Sequence, residues 1–147
     1  MSDERENPYS GLWCFLVWLG VLGNLVFSVQ ALFAPRYLLN MLHMPQVSQT
    51  VWLRDSGGLL LLLSLMQAPS ARRPFRYWVN AVITVAGRVG FGLFWFYGVF
   101  YAGWPSAFLS LAIADSSIGL LQLIVFMLLM RHEYLRPELS PTYREAM

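Results

Sequence analysis

The sequence contains few of the charged residues that soluble proteins carry on their surfaces. Only 12% of the residues are charged and 57% are hydrophobic, whereas a typical soluble domain is about 25% charged. Lysine is absent, so all the basic residues are arginines, and the formal net charge is +2. A charge this small and this scattered gives no indication of a nucleic-acid partner, and we expect none. The composition instead predicts an integral membrane protein.

Cysteine and histidine are also scarce. The single cysteine, Cys14, lies in an apolar segment, which excludes an intrachain disulfide, a CxxC redox pair and a zinc site built on cysteines. His43 and His132 both fall outside the apolar segments, so neither is placed to ligate a buried haem. The sequence has no HExxH motif and no phosphate-binding glycine loop. We therefore expect no cofactor, no metal site and no enzymatic activity.

Four long apolar segments make up most of the chain, at about residues 12–33, 51–69, 77–100 and 107–130. A helix needs about 20 residues to cross the roughly 30 Å of membrane hydrocarbon. The pattern predicts an all-α fold, an integral membrane four-helix bundle over residues 12–130. Pro35 begins a stretch that places Tyr37, Leu38, Met41 and Leu42 at helical spacing, so a short amphipathic segment is expected at 35–44. The first segment is too long for the apolar part of a secretory signal.

The arginines predict how the bundle is oriented. With four crossings, residues 1–11, the linker between the second and third segments, and residues 131–147 share one side of the membrane. That side collects most of the arginines, namely Arg5, Arg72, Arg73, Arg76, Arg131, Arg136 and Arg144. Only Arg36 lies outside the segments on the other side. The positive-inside rule therefore predicts a multi-pass membrane protein with both termini cytoplasmic.

Polar residues inside the apolar segments fall at a common depth. At about 1.5 Å per residue from the cytoplasmic end of each segment, they lie roughly 16 to 22 Å deep. An unpaired charge near the bilayer centre costs about 2.5 to 3.5 kcal/mol on insertion scales, so opposite charges should meet. We expect Arg88 to pair with Asp115, while Arg54 and Asp55 either join them or face the outer headgroups. The expected intramembrane polar network, or ligand headgroup site, comprises Asn24, Arg54, Asp55, Arg88, Asp115 and Ser116.

Several roles for this polar layer are open. Buried ion pairs can fix the register of neighbouring helices. Alternatively, the layer lines a cavity for a polar headgroup or a proton path. In a third interpretation, Arg54 simply extends to the outer interface. A weaker idea is an enzyme in which Asp115 gives or takes a proton beside Arg88.

Glycines are expected to let the helices approach one another closely, as small residues do in membrane proteins. Those assigned to helix packing are Gly20 and Gly23 in the first segment, with Gly87, Gly90 and Gly92 in the third. The aromatic run at residues 91–101 could stack on a flat lipophilic ligand, but a lipid-facing helix surface is the favoured interpretation.

Three stretches carry a resemblance to known families: WLGVLGNLVFSVQALF, VWLRDSGGLLLLLSL and the arginine-containing third segment. Together they resemble small bacterial four-helix membrane proteins of the DoxX-like kind. More faintly, they resemble the four-span scaffold family of ergosterol biosynthesis, through a Gly-Asn and a Gln in the first helix and a Leu-x-Arg-x-x-Gly opening of the second. The corresponding residues here are Gly23, Asn24, Gln30, Leu53, Arg54 and Gly57. The resemblance covers about residues 13–98 and implies a non-catalytic partner that tethers or stabilises membrane enzymes.

Two functional expectations follow. The leading one is a non-catalytic accessory or scaffold subunit of a bacterial inner-membrane protein complex, tethering enzymes of lipid or redox metabolism. Its partners would be membrane lipids and another integral membrane protein, with a homo-oligomer as an alternative. The competing expectation is a binder or carrier of a lipid or quinone-like small molecule, whose polar end meets the layer in the outer half of the membrane.

Overall fold

The fold is all-α in the computed structural model, which describes residues 7–45 and 50–135. The helices there are α1 (Ser10–Phe33), α2 (Pro35–Met41), α3 (Val51–Arg72), α4 (Trp78–Tyr101) and α5 (Phe108–Tyr134). No strand occurs in these two ranges, so the predicted all-α class is confirmed. Most of the two predicted tails, including Arg5, Arg136 and Arg144, lies outside the described residues.

Three of these helices, α1, α4 and α5, are long and apolar enough to cross a membrane. The chain is therefore a membrane-embedded helical protein. α3 has 22 residues but is not among the three, because Arg54 and Asp55 lie near its start and several polar residues follow. The fourth crossing and the side on which the termini lie stay predictions.

The helix ends differ by a few residues from the predicted segments. The second segment was expected to end at Pro69, but α3 continues through this proline to Arg72. Proline removes one backbone hydrogen bond inside a helix, a loss that neighbouring helices can compensate in a membrane bundle. α5 extends to Tyr134, beyond the predicted end at residue 130. α2 ends at Met41, before the predicted end at residue 44.

α2 presents a different apolar stripe from the one expected. Leu38 and Leu39 are fully buried, and Leu42 just after the helix is nearly so. They pack with Ala31 and other residues at one end of the bundle. Tyr37 and Met41 were expected to share the apolar face with Leu38 and Leu42 but are exposed. A seven-residue helix makes only about two turns, so it buries a single narrow stripe.

The four long helices pack as two antiparallel pairs. α1 packs along α3 and α4 along α5, and narrower contacts between α1 and α5 and between α3 and α4 join the pairs. Hydrogen bonds fix the register at one end of the bundle. Trp13 Nε1 donates to the carbonyl of Ser70 at 2.8 Å, and Asn7 Nδ2 donates to the carbonyl of Leu129 at 3.4 Å. The start of α1 therefore lies beside the ends of α3 and α5.

Two separate clusters of buried apolar side chains fill the bundle. One lies towards the start of α1 and includes Trp13, Val17 and Val21. The other lies towards the opposite end and includes Ala31 and Phe108. The stretch of α1 between Val21 and Ala31 carries the polar Asn24, so a polar level separates the two apolar clusters.

Gly57 brings α3 close to α1. An ideal Cβ at this position would lie 2.8 Å from the Cβ of Ala31 and 3.2 Å from the carbonyl oxygen of Ser28. Neither atom can move without shifting the backbone, so the two helices depend on the missing side chain. At the next residue, Gly58, nothing lies within 4 Å of an ideal Cβ.

The replacement Gly57→Ala should therefore destabilise the protein by about 1 to 3 kcal/mol, as overpacking does in a closely packed interface. Gly58→Ala is the matched control and should be neutral or stabilising by up to about 1 kcal/mol, since alanine favours helix over glycine. Thermal unfolding in detergent, followed by circular dichroism, measures both. Equal behaviour of the two variants would contradict the close α1–α3 contact.

Candidate functional site

Arg88 lies in the middle of α4, and only 8% of its surface is exposed. Its guanidinium group contacts two neighbouring helices. Nη1 donates to Oδ1 of Asp115 in α5, forming an ion pair. Nη2 donates to the carbonyl of Gly20 and, at 2.8 Å, to Oδ1 of Asn24, both in α1. The structure thus brings together Arg88, Asp115 and Asn24, three of the residues that the sequence placed in the polar network.

Gly20 makes room for the guanidinium group. An ideal Cβ there would lie 2.9 Å from Nη2 and 3.2 Å from Nε of Arg88. Any larger residue would push the arginine away from the carbonyl that it reaches. Gly20 therefore packs closely, as expected, but against a side chain from the facing helix.

Asp115 accepts a second hydrogen bond, from Nε1 of Trp95 to Oδ2 at 3.3 Å. The indole is held in place by other aromatic rings. It stacks on Phe108 with the ring centroids 5.2 Å apart and meets Trp104 edge-on at 5.9 Å. The sequence analysis assigned Trp95 no role at the polar layer. The sequence spacing between Arg88 and Trp95 could have indicated this contact, because residues seven positions apart lie on the same helix face.

Two glycines set α4 against α5 around the ion pair. An ideal Cβ at Gly92 would lie 2.2 Å from Oγ of Ser116, so this serine packs directly against the glycine. An ideal Cβ at Gly119 would lie 2.9 Å from Cβ of Arg88 and 3.0 Å from the backbone nitrogen of Val89. The structure therefore places Ser116 in the α4–α5 interface beside Asp115, and it gives Gly119 a packing role that the sequence analysis missed.

Three of the predicted packing glycines do not bring the helices of this bundle together. At Gly23, Gly87 and Gly90, nothing in the described chain lies within 4 Å of an ideal Cβ. Successive helical residues are rotated by about 100°. Gly23 precedes the inward-facing Asn24, and Gly87 precedes Arg88, so both are turned away from the interior. The prediction of packing within the bundle is wrong for these three.

Arg54 and Asp55 also lie outside the polar layer. Both are exposed, and neither forms an ion pair within residues 7–45 and 50–135. The inward-facing residues here are Leu53 and Gly57. Arg54 and Asp55 follow Leu53 by one and two positions, so they are rotated away from the interior by about 100° and 200°. Their predicted membership of the network is wrong, and their alternative placement at the outer headgroups stays a prediction.

The polar layer satisfies its own charges. The guanidinium group of Arg88 is bonded to a carboxylate, a backbone carbonyl and an amide oxygen. The carboxylate of Asp115 is bonded to Arg88 and Trp95, and 19% of its side chain stays exposed. In the part of the chain that the structure describes, no group of three or more His, Cys, Asp or Glu residues could hold a metal ion. The arrangement links α1, α4 and α5 through charge-assisted hydrogen bonds.

Comparison with known proteins gives no match: no protein-family model, no curated protein and no solved structure matches this chain. The resemblance to DoxX-like proteins and to the ergosterol scaffold family therefore stays a prediction. Functional assignment rests on the geometry of the chain itself.

Removing either member of the ion pair should destabilise the bundle, because the other charge would stay buried without a partner. In soluble proteins such a loss costs about 3 to 5 kcal/mol. We expect Arg88→Met and Asp115→Asn each to lower the free energy of unfolding in detergent. The double variant should lose less than the sum, with a coupling energy of about 0.5 to 3 kcal/mol.

The matched control is Arg54→Met, which removes an exposed arginine that has no ion-pair partner in the described residues. Its effect should stay within about 0.5 kcal/mol. Strictly additive losses for Arg88→Met and Asp115→Asn would show that the two side chains do not interact.

Proposed function

We propose that this chain is a four-helix membrane bundle that serves as a non-catalytic accessory or scaffold subunit of a bacterial inner-membrane protein complex. One contrast carries the proposal. The charged groups of the polar layer, Arg88 and Asp115, are bonded to protein atoms, whereas Gly87 and Gly90, which are suited to close helix contact, have open space around them. The enzymes of lipid or redox metabolism are the proposed class of tethered partner, in line with the resemblance of residues 13–98 to membrane scaffold proteins.

The direction of the helices supports α3 as the fourth crossing. α1 runs antiparallel to α3, since Trp13 lies beside Ser70 and Ala31 beside Gly57. α3 and α4 are joined by a short turn, so α1 and α4 point the same way. A chain that crosses the membrane in α1 and again in the same direction in α4 has to return between them. At about 1.5 Å per residue, α3 is about 33 Å long, which matches the hydrocarbon thickness.

The arrangement of side chains on α3 explains its low apolar content. Ser64, Gln67 and Ser70 are almost fully buried and face the other helices. The exposed positions between them carry apolar residues such as Leu65 and Met66. A helix of this kind presents hydrocarbon to lipid and polar groups to protein, which supports a membrane-spanning position.

The positions of the helix ends support cytoplasmic termini. The hydrogen bond from Asn7 to Leu129 brings the two ends of the described chain to the same end of the bundle. The end of α3 and the turn after it lie at that end too, because Trp13 bonds to Ser70. This part of the chain carries Arg72, the last residue of α3, and Arg73 and Arg76. The positive-inside rule places such an end in the cytoplasm.

Cysteine accessibility in intact cells tests the number of crossings. In a Cys14→Ala background, Pro8→Cys and Leu135→Cys should both be protected from a membrane-impermeant thiol reagent, and Ala102→Cys should be labelled. All three positions are exposed in the structure. If one terminal cysteine is labelled and the other protected, the number of crossings is odd and the four-span proposal fails.

The outer face of α4 is the proposed contact with the partner protein. Gly87 and Gly90 have open space around their Cα atoms, which lets a second helix approach closely. The same helix exposes large aromatic rings, including Phe94 and Tyr97. Small residues give close backbone contact, and neighbouring rings add contact area, as in other interfaces rich in aromatic residues.

The state of Arg88 disfavours the competing function, a carrier of a lipid or quinone-like molecule. Such a ligand would need a free hydrogen-bonding group at the polar layer. Nη1 and Nη2 of Arg88 are bonded to protein atoms, and the residue is 8% exposed. A headgroup that binds Nη1 or Nη2 would compete with Asp115, Asn24 and the carbonyl of Gly20.

Crosslinking in native membranes tests the scaffold proposal. Gly90→Cys, in the Cys14→Ala background, should give an adduct with a second membrane protein when it carries a short thiol-attached photocrosslinker and is irradiated. Gly58→Cys on α3 is the matched control, because its Cβ also meets open space, and it should give none.

An adduct of twice the mass of the chain would indicate a homo-oligomer instead of a scaffold. The proposal fails if Gly90→Cys gives no adduct and the protein purifies in mild detergent as a solitary monomer.

A further inference from the structure

Two buried glutamine side chains end in oxygens that have no hydrogen-bond donor in the described chain. Gln67 of α3 is 2% exposed and Gln122 of α5 is 0% exposed. Oε1 of each is buried and unpartnered among the described residues. Nε2 of Gln122 donates to the carbonyl of Leu16 at 3.0 Å. This bond fixes the orientation of the amide, because a flipped amide would place oxygen against oxygen.

The register of the helices puts both glutamines at the depth of Leu16. Trp13 lies beside Ser70 in the antiparallel pair of α1 and α3. Three residues further into the bundle along each helix are Leu16 and Gln67. Gln122 contacts Leu16 directly. The two amides therefore come from the two helices that flank α1, at one level, and both are enclosed by the bundle.

Thr84 of α4 lies at the same level. α1 and α4 run in parallel, and Arg88 contacts Gly20. Four residues before each of these are Thr84 and Leu16. Thr84 is 1% exposed, and its Oγ1 donates to the carbonyl of Asn80 at 2.7 Å. The hydroxyl proton of Thr84 is thus bonded within α4. Towards the interior, Oγ1 of Thr84 can only accept a hydrogen bond. Thr84 therefore offers no hydrogen-bond donor to either glutamine oxygen.

We propose that a water molecule binds between Gln67 and Gln122 and donates one hydrogen bond to each Oε1. A buried acceptor without a donor is costly, and buried waters typically satisfy such groups. Water is the smallest molecule that donates twice. A larger ligand group is disfavoured, because neither side chain has more than 2% exposure through which it could enter.

The proposed water forms a second polar level in the bundle. Thr84 precedes Arg88 by four residues, so this level lies about 6 Å along the helix axis from the ion pair, on the side of the termini. The water links α3 to α5, the two long helices that share only slight contact with each other. It is thus a bond across the diagonal of the bundle.

Solid-state NMR on the full chain in lipid bilayers tests the site. In a water-edited experiment with ¹⁵N-labelled glutamine, we expect magnetisation transfer from water to the side-chain amides of Gln67 and Gln122. The indole N–H of Trp13, which is fully buried and bonded to Ser70, is the reference for a dry group. Transfer no faster than at Trp13 would overturn the proposal, and this result needs no variant.

The variant Gln67→Met tests whether one water bridges the two glutamines. Loss of the bridging water should lower the transfer to Gln122 to the rate seen at the indole N–H of Trp13. Ser64→Ala is the control, because the hydroxyl of Ser64 bonds to Leu60 one turn away and should not affect Gln122. Unchanged transfer to Gln122 in Gln67→Met would show that the two amides do not share a water, which contradicts the proposal.

Discussion

The guanidinium group of Arg88 is the contact on which the arrangement of the long helices depends. Within each antiparallel pair, glycines give close packing: Gly57 between α1 and α3, and Gly92 between α4 and α5. The two pairs meet through narrower contacts. Arg88 crosses from one pair to the other, bonding to Asp115 in its own pair and to α1 in the opposite one. Lipid offers no hydrophobic force that drives helices together, so a paired charge and its hydrogen bonds have a large share in fixing this contact.

The membrane sets the same constraint on every helix, because a polar side chain facing hydrocarbon is unfavourable. Arg88 satisfies it by donating hydrogen bonds to Asp115 and to Asn24. α3 satisfies it by turning its polar residues, Gln67 among them, towards the interior. This accounts for the low apolar content that separates α3 from the three helices that are apolar enough to span by composition. The proposed fourth crossing rests on the directions of the helices and not on the composition of α3.

The pairing of Arg88 with Asp115 could be predicted from the sequence, because a charge inside the membrane is costly unless an opposite charge lies beside it. Two opposite charges at one depth left few alternatives, and the pairing of Arg88 with Asp115 followed. The faces of the helices were harder to predict. Gly90 and Gly92 are two positions apart, yet only Gly92 packs against a neighbour. Each residue turns a helix by about 100°, so these two glycines lie on nearly opposite faces. The exposure of Arg54 was missed for the same reason.

The central claim is that Arg88 and Asp115 form a direct ion pair within the membrane. The most direct measurement is the distance between the guanidinium nitrogens of Arg88 and the carboxylate carbon of Asp115, obtained by ¹⁵N–¹³C dipolar recoupling on the protein in lipid bilayers. We expect a distance of about 4 Å or less, as in a direct salt bridge. A distance well beyond this, with Arg88 retaining its charge, would contradict the account.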